Sequence, residues 1–350
     1  MTSAPSPRVV VHVTDRTTGG VPVAVGSYVR TSSPAYAHVI VSPFVEGRPA
    51  GAFADLDALH VEWDGSTPAR ALRSLRGILR GGRFDVVHAH SSFPGAYVRL
   101  LRHAPRTRVV YTPHGFAFAR ADVDPSRRAV FRTIERVLAG RMTVLAACGP
   151  GEEREALSLG IARERALVVP NLASVAAAAG AGARPGGLRE SGVLRVAMLG
   201  RWSPQKDPTF FHERVDRLRT ALFGCAVRAT WIGDGPSGSG IRVTGWLGSE
   251  GVRRELDGTD LYLHTAAWEG FPIAILDAAA LGLPILARRI SALPDLPPAL
   301  DLDAGIDGVV HAVRAGRFAA WSAENRRGWR EYLGPRDARS QARALARAWG

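Results

Sequence analysis

Two short stretches carry the side chains best suited to hold a phosphorylated ligand. The first is GRWSPQKDP, Gly200 to Pro208, which follows the apolar run VLRVAML. It contains the only lysine of the chain, the other 44 of the 45 basic residues being arginine. Arg201 offers a planar fork and Lys206 a compact point charge, a combination that suits two phosphoryl groups reached differently. Gly200, at a strand end, lets the backbone come close to a ligand. Two surface cations on a loop would leave the same letters, but arginine is used everywhere else, so the retained lysine points to a specific contact. Asp207 before Pro208 predicts a helix N-cap followed by proline at the first helical position. The second stretch, AAWEGFPIAILDAAALGLPILA (266–287), reads as strand end, tight turn, helix, glycine stop and next strand. Pro272 suits the first helical turn, and the free backbone N–H groups near it, at Gly270, Phe271 and Ile273, favour an anion. Glu269 before the helix and Asp277 eight residues on place two carboxylates for separate sets of hydroxyls, and sugars are polyols.

Other candidate groups point less sharply. His88 and His90 alternate along a strand and share a face, but a metal would need further ligands that the sequence does not supply, so they are expected to line a cleft or pack. Three D-x-D matches, at Asp55 and Asp57, Asp122 and Asp124, and Asp301 and Asp303, would suit a metal-dependent transferase, yet none follows an apolar strand. GDGPSG fits the dinucleotide fingerprint, but Pro236 and the return to a strand at Ile241 leave no helix for a pyrophosphate. Arg70, Arg73, Arg76, Arg80 and Arg83 recur at helical spacing beside Leu72, Leu75 and Leu79, which describes a solvated helix or one that docks on anionic lipid.

These residues need a scaffold, and its rhythm is legible. Strands are expected at 8–13, 37–42, 85–90, 108–112, 143–148 and 166–170, with amphipathic helical stretches between several of them. Such alternation predicts βαβ units and a parallel sheet. A small, glycine-rich segment at 172–192 reads as a linker, and alternation then resumes. The fold expected is α/β, two Rossmann-like domains whose parallel sheets face a cleft. The first covers 1–171, the second 193–316, and helices over 317–350 are expected to pack back on the first. A length of 350 residues, with 46% hydrophobic and 22% charged residues, agrees with two globular domains. No apolar run approaches the ~18 residues of a membrane span. MTSAPSPRVVVHV passes from a polar lead straight into a strand, which reads as a cytoplasmic protein without an export signal. Cys148 and Cys225 are isolated thiols, suited to a reducing compartment. A net charge of +13 attracts nucleic acid, anionic headgroups or phosphorylated molecules alike.

In order along the chain, TTGGVPVAV, DVVHAHSSFPGAYVRLLR, VVYTPHGFAF, ALVVPN, the Gly200 stretch, IGDGP and EGFPIAILD resemble the family 4 retaining glycosyltransferases of the two-Rossmann (GT-B) fold, over roughly residues 8–290. The resemblance implies that Arg201 and Lys206 bind the donor diphosphate, that Glu269 contacts the donor sugar, and that Asp277 stands where the family usually has a glutamate on the nucleotide ribose. It implies that Gly19 and Gly20 form a loop over the phosphates, that His114 lies near the donor sugar and reacting centre, and that Trp246 and Leu247 mark the loop reading the base. It further implies a UDP- or GDP-sugar donor, no required cofactor or metal, and a glycan or polyprenyl-diphosphate-linked acceptor at the cytoplasmic membrane face. Two departures stand out. Asp277 is one methylene short, and only SGSG separates GDGP from IRVTGW where relatives carry a helix. A silent relative serving as an interaction subunit and a nucleotide-sugar epimerase are the alternatives. A nucleic-acid-binding protein would need a basic stripe interleaved with aromatics, which the sequence lacks.

Overall fold

The computed structural model describes residues 6–43, 53, 55–175, 192–236, 238 and 240–350. The chain forms two compact units, one of residues 1–172 with 336–350 and one of residues 173–335.

Unit 1 runs β1 (Arg8–Thr14), α1 (Gly20–Thr31), β2 (Tyr36–Ser42), β3 (Leu59–Glu62), α2 (Pro68–Gly81), β4 (Val86–His90), α3 (Ser92–Leu100), β5 (Arg108–Thr112), α4 (Pro125–Leu138), β6 (Val144–Ala147), α5 (Pro150–Ser158) and β7 (Ala166–Val168). Its seven strands are parallel in the order β3-β2-β1-β4-β5-β6-β7. All five residues of β4 are buried, as expected of a strand covered on both faces by helices. Val11, Val13, Val39, Val87, Tyr111 and Leu145 form the core on one face of the sheet.

Unit 2 runs β8 (Val193–Leu199), α6 (Pro208–Ala221), β9 (Ala226–Ile232), β10 (Ile241–Val243), α7 (Ser249–Asp257), β11 (Leu261–His264), α8 (Ile273–Ala280), β12 (Ile285–Ala287), α9 (Leu302–Arg314) and α10 (Phe318–Leu333). Its five strands are parallel in the order β10-β9-β8-β11-β12. Both units are therefore doubly wound Rossmann-like folds. Strand order reverses between β1 and β4 in the first and between β8 and β11 in the second, and ligands of open α/β sheets bind beyond the strand ends at such a reversal.

The expected C-terminal helices divide between the units. α10 belongs to unit 2. Asn325 brackets Ile285 by accepting from its N–H at 2.7 Å and donating to its carbonyl at 2.9 Å. The Trp329 indole donates to the same carbonyl at 2.8 Å. The chain then turns at Gly334, whose φ of 59° suits glycine. It ends in α11 (Ala338–Trp349), opened by a capping box between Asp337 and Ser340. α11 belongs to unit 1, where the buried Gln341 accepts from Thr31 Oγ1 at 2.6 Å and donates to the Pro170 carbonyl at 2.8 Å.

Of the linker expected over 172–192, residues 176–191 lie outside the described residues, as do Ser237 and Ser239 of SGSG. The D-x-D matches resolve into local roles. Asp124 and Asp301 are N-caps of α4 and α9, Asp122 pairs with Arg120 at 2.8 Å, and Asp55 and Asp57 are not buried.

Candidate functional site

In unit 2 the residues singled out in sequence gather at the strand reversal. β8 is followed by Gly200, whose N–H donates to the Ile232 carbonyl at 2.9 Å and whose carbonyl accepts from the Trp231 indole at 2.8 Å. Gly233 makes this approach possible, because a Cβ there would stand 2.2 Å from the Gly200 oxygen. The loop then places Arg201 in solvent and turns back, so that the stem of Lys206 crosses Gly200. Asp207 does cap α6, with Oδ1 accepting from Phe210 N at 3.1 Å and Pro208 at the first position. It also pairs with Arg288 at 2.7 Å.

The loop after β11 is stitched to this one. Ala267 N–H donates to the Gln205 carbonyl at 2.8 Å, and Thr265 Oγ1 donates to the Lys206 carbonyl at 2.8 Å. Gln205 Nε2 reaches the Trp268 carbonyl at 3.1 Å and Glu269 Oε2 at 3.2 Å. Lys206 Nζ donates to Glu269 Oε1. The two side chains are 17% and 12% exposed, so the pair is shielded from water. His264 Nε2, fully buried, lies 3.9 Å from the same oxygen. Burial and then the nearby Lys206 charge hold His264 neutral. Gly270, Phe271 and Pro272 are buried and Ile273 half-buried at the start of α8, where Pro272 is the N-cap rather than the first helical residue.

Asp277 is 2% exposed and is taken up by the chain itself. Oδ1 accepts from the N–H of Ser174 at 2.5 Å and of Val175 at 3.2 Å, and Oδ2 accepts from Ser174 Oγ at 2.8 Å. The shorter side chain thus holds the first residues of unit 2. Desolvation raises its pKa and the three donors oppose that. Trp246 is 59% exposed beyond β10, with Leu247 beside it half-buried.

In unit 1, Gly19 is the N-cap of α1 with φ 87°, and the exposed Gly20 begins that helix. Both follow β1 at the reversal. His114 follows β5 in the left-handed region, φ 52°, with Gly115 at φ 97°. This loop is pinned from below by Glu152, a carboxylate the sequence reading missed. Glu152 Oε1 accepts from Gly115 N and Oε2 from Cys148 N, both at 2.7 Å. Burial raises the Glu152 pKa to about 7 against those two bonds. The His114 pKa is lowered to about 3 by burial. His12, His88 and His90 bring one ring nitrogen each within 4.8 Å of one another, so the third ring that His88 and His90 lacked in sequence is His12. No local pattern marks His12 or Glu152, whereas Gln205 and His264 sit inside the two motifs.

Exposure of the five arginines is as a solvated or docking helix requires. Arg70, Arg73, Arg76 and Arg80 on α2, and Arg83 just beyond it, are exposed, while Leu75 is buried. Among the described residues no helix is long and apolar enough to cross a membrane.

Comparison with known proteins agrees with this architecture. The family described as Glycosyl transferase 4-like domain matches residues 8–172, and Glycosyl transferases group 1 matches residues 194–317. The chain is 29% identical over 246 residues to UDP-Gal:alpha-D-GlcNAc-diphosphoundecaprenol alpha-1,3-galactosyltransferase of Escherichia coli. That match covers 63% of this chain and 62% of the relative, less than two thirds of the relative's length. HepE of Anabaena, solved in complex with UDP, superposes with a TM-score of 0.67 at 13% identity, covering 97% of this chain and 98% of that one. Sucrose-phosphate synthase of Thermosynechococcus elongatus gives 0.70 at 12% identity, covering 97% and 96%. At such identities the solved structures establish shape alone. The two consecutive family matches, lying on two doubly wound parallel sheets, show that the chain belongs to the family 4 glycosyltransferases of the GT-B fold.

Proposed function

We propose that this protein transfers a sugar from a nucleoside diphosphate sugar, a UDP- or GDP-sugar, to a glycan or polyprenyl-diphosphate-linked acceptor, with retention of anomeric configuration and without a divalent metal. The observation that carries this reading is the shielded Lys206–Glu269 pair at the strand reversal of unit 2, with Arg201 in solvent on the same loop. A cation held by a carboxylate and flanked by a second cation is prepared for a diphosphate, because the incoming charge meets an ammonium already fixed in place.

In the mechanism that follows, Arg201, Lys206 and the N-terminus of α8 stabilise the departing diphosphate. The bond from the anomeric carbon to the diphosphate oxygen breaks, and the acceptor hydroxyl attacks from the same face. Its proton passes to the leaving phosphate oxygen. Glu269, oriented by Lys206 and Gln205, accepts hydrogen bonds from donor-sugar hydroxyls. Trp246 and Leu247 are assigned to the base, and Gly19, Gly20 and His114 in unit 1 to the phosphates and sugar. Support for a lipid-linked acceptor comes from the name of the Escherichia coli relative. The test is nucleoside diphosphate release from a panel of nucleotide sugars in the presence of EDTA. Turnover that appears only on adding magnesium or manganese would remove the metal-free mechanism, and conversion of donor without acceptor would instead identify an epimerase.

The exposed arginines of α2 are assigned to an anionic membrane surface, each contributing about 1 kcal/mol near it. Replacing Arg73 and Arg76 by glutamate should abolish sedimentation with phosphatidylglycerol vesicles. Binding unchanged by that double substitution would put the membrane contact elsewhere.

A further inference from the structure

Five of the chain's ten histidines meet in unit 1: His38 on β2, His12 on β1, His88 and His90 on β4, and His114 after β5. Four of them form a single hydrogen-bonded row that crosses the sheet strand by strand. Ser32 Oγ lies 2.8 Å from His38 Nε2, and His38 Nδ1 lies 3.1 Å from His12 Nε2. His12 Nδ1 lies 3.1 Å from His90 Nε2, and His90 Nδ1 lies 3.1 Å from His114 Nε2. His114 Nδ1 lies 3.2 Å from Cys148 Sγ, which ends the row.

The direction of every bond follows from one end. Ser32 has a single hydroxyl proton; assigned to the Val29 carbonyl at 3.0 Å, it leaves the oxygen to accept from His38 Nε2. A neutral imidazole carries one N–H, hence His38 Nδ1 accepts and His12 Nε2 donates. The same step repeats through His90 to His114, whose Nδ1 must accept from the Cys148 thiol. Burial and then the Glu152 carboxylate keep that thiol protonated, so it has a proton to give. His88 reaches the same state by a separate route. The Trp349 indole can only donate, to His88 Nδ1 at 3.3 Å, and His88 Nε2 then donates to Thr112 Oγ1 at 2.8 Å. Desolvation lowers the pKa of all five rings, as a row of neutral imidazoles requires.

We propose that Cys148, His90, His12 and His38 are positioning residues for His114: their one-way row fixes its ring as the neutral Nε2–H tautomer and leaves neither ring nitrogen to act as a base. For catalysis this rests on the reading that His114 stands at the donor sugar, whereas the tautomer itself does not depend on that reading. The left-handed backbone at His114 and the Glu152 bonds to Gly115 and Cys148 hold the loop, and the ring cannot turn without breaking its own bonds to His90 and Cys148. His114 then serves through its ring edge and its loop backbone, by orienting a substrate rather than by moving a proton. A metal ion among His12, His88 and His90 would have to displace bonds that already use both nitrogens of each ring.

Long-range proton–nitrogen NMR of the full chain labelled with 15N-histidine, recorded from pH 6 to 8, decides the matter. Five rings should show a protonated Nε2, an unprotonated Nδ1 and no titration. A His114 ring that titrates in this interval or is protonated at Nδ1 overturns the proposal, and so do nitrogen shifts of a metal-bound ring. Cys148→Ala, which removes the donor to Nδ1, should give mixed His114 tautomers and lower kcat about tenfold with donor KM unchanged. Cys148→Ser keeps a hydrogen-bond donor there and should restore both the pure tautomer and most of kcat. A pure Nε2–H tautomer in Cys148→Ala would show that the row does not set it. If wild type proves inactive with every donor, the glycosyl-transfer reading fails while the spectra still judge the row.

Discussion

Lys206 donates to Glu269 across the two loops that leave β8 and β11, and the carboxylate is steadied on its other oxygen by Gln205 at 3.2 Å. This pairing explains the retention of one lysine in a chain otherwise furnished with arginine. A narrow ammonium on a slim stem passes over Gly200, whose added Cβ would lie 2.7 Å from Lys206 Cε; a planar guanidinium is wider. Lys206→Ala should reduce kcat/KM for diphosphate release by about 100-fold or more, the scale of losing one fixed electrostatic contact to a leaving group. Lys206→Arg should recover little of it. Steady-state kinetics on both variants check this, and a Lys206→Ala enzyme with unchanged donor affinity and turnover would remove the pair from the reaction.

Two glycines next to that lysine should behave differently on replacement by alanine. At Gly200, φ 157°, the new methyl meets the flexible lysine stem and strains the backbone, so Gly200→Ala should cost about 1–2 kcal/mol of stability while lowering activity at least tenfold by displacing the ammonium. At Gly233 the methyl would stand 2.2 Å from a backbone oxygen, which cannot yield without parting β8 from β9. Gly233→Ala should therefore destabilise unit 2 by about 3 kcal/mol. Urea denaturation beside activity separates the cases; equal stability losses in the two variants would contradict the packing argument.

How much of this could be read from sequence depends on whether the signal was local. The buried strands are continuous β-branched runs, and the two loops that carry Lys206 and Glu269 announce themselves because each lies between such a run and a helix start. β3 escaped because its residues are mostly exposed, Leu59 at 72%, so an edge strand of four residues lacks the apolar pattern. The break between α10 and α11 is written in Gly334, Pro335 and the Asp337 cap, but the division of the two helices between the units is not. Asp277 and Ser174 are 103 positions apart, and His12 and His90 are 78 apart. Only the parallel crossovers bring such partners together, and no window along the chain contains both.

The Asp277 anchor sets a stability prediction. Asp277→Ala would leave the Ser174 and Val175 N–H groups without their acceptor in a site where the carboxylate is 2% exposed. The cost should be about 2–4 kcal/mol, the penalty for unpaired buried donors. Ser174→Ala removes only the hydroxyl bond and should cost about 1 kcal/mol. Thermal unfolding of the two variants tests the order. Were the Asp277 variant instead as stable as wild type but weak in donor binding, the carboxylate would be a ribose ligand after all.

Protonation should act on unit 1 more than on unit 2. Five rings of unit 1 have pKa values pushed below the ordinary histidine range by burial. Between those folded values and the unfolded value of about 6.5, the unfolded chain binds more protons, so stability rises with pH and is lost as pH falls through 6.5. Glu152 works in the opposite sense. Its folded pKa of about 7 exceeds the ordinary value of 4.5, so the folded state binds the extra proton between them and this contribution is lost as pH rises toward 7. One carboxyl opposes five imidazoles, each net proton changing stability by about 1.4 kcal/mol per pH unit, so the histidines decide the sign. Amide hydrogen exchange in β1 and β4, corrected for intrinsic rates, should accelerate steeply from pH 7 to pH 5.5, while β9, remote from any shifted histidine row, changes less. His38→Asn, which removes one titrating ring at the solvent end of the row, should flatten the dependence in unit 1. Protection of β1 and β4 that is independent of pH across this interval would mean that the rings are not neutral in the folded state.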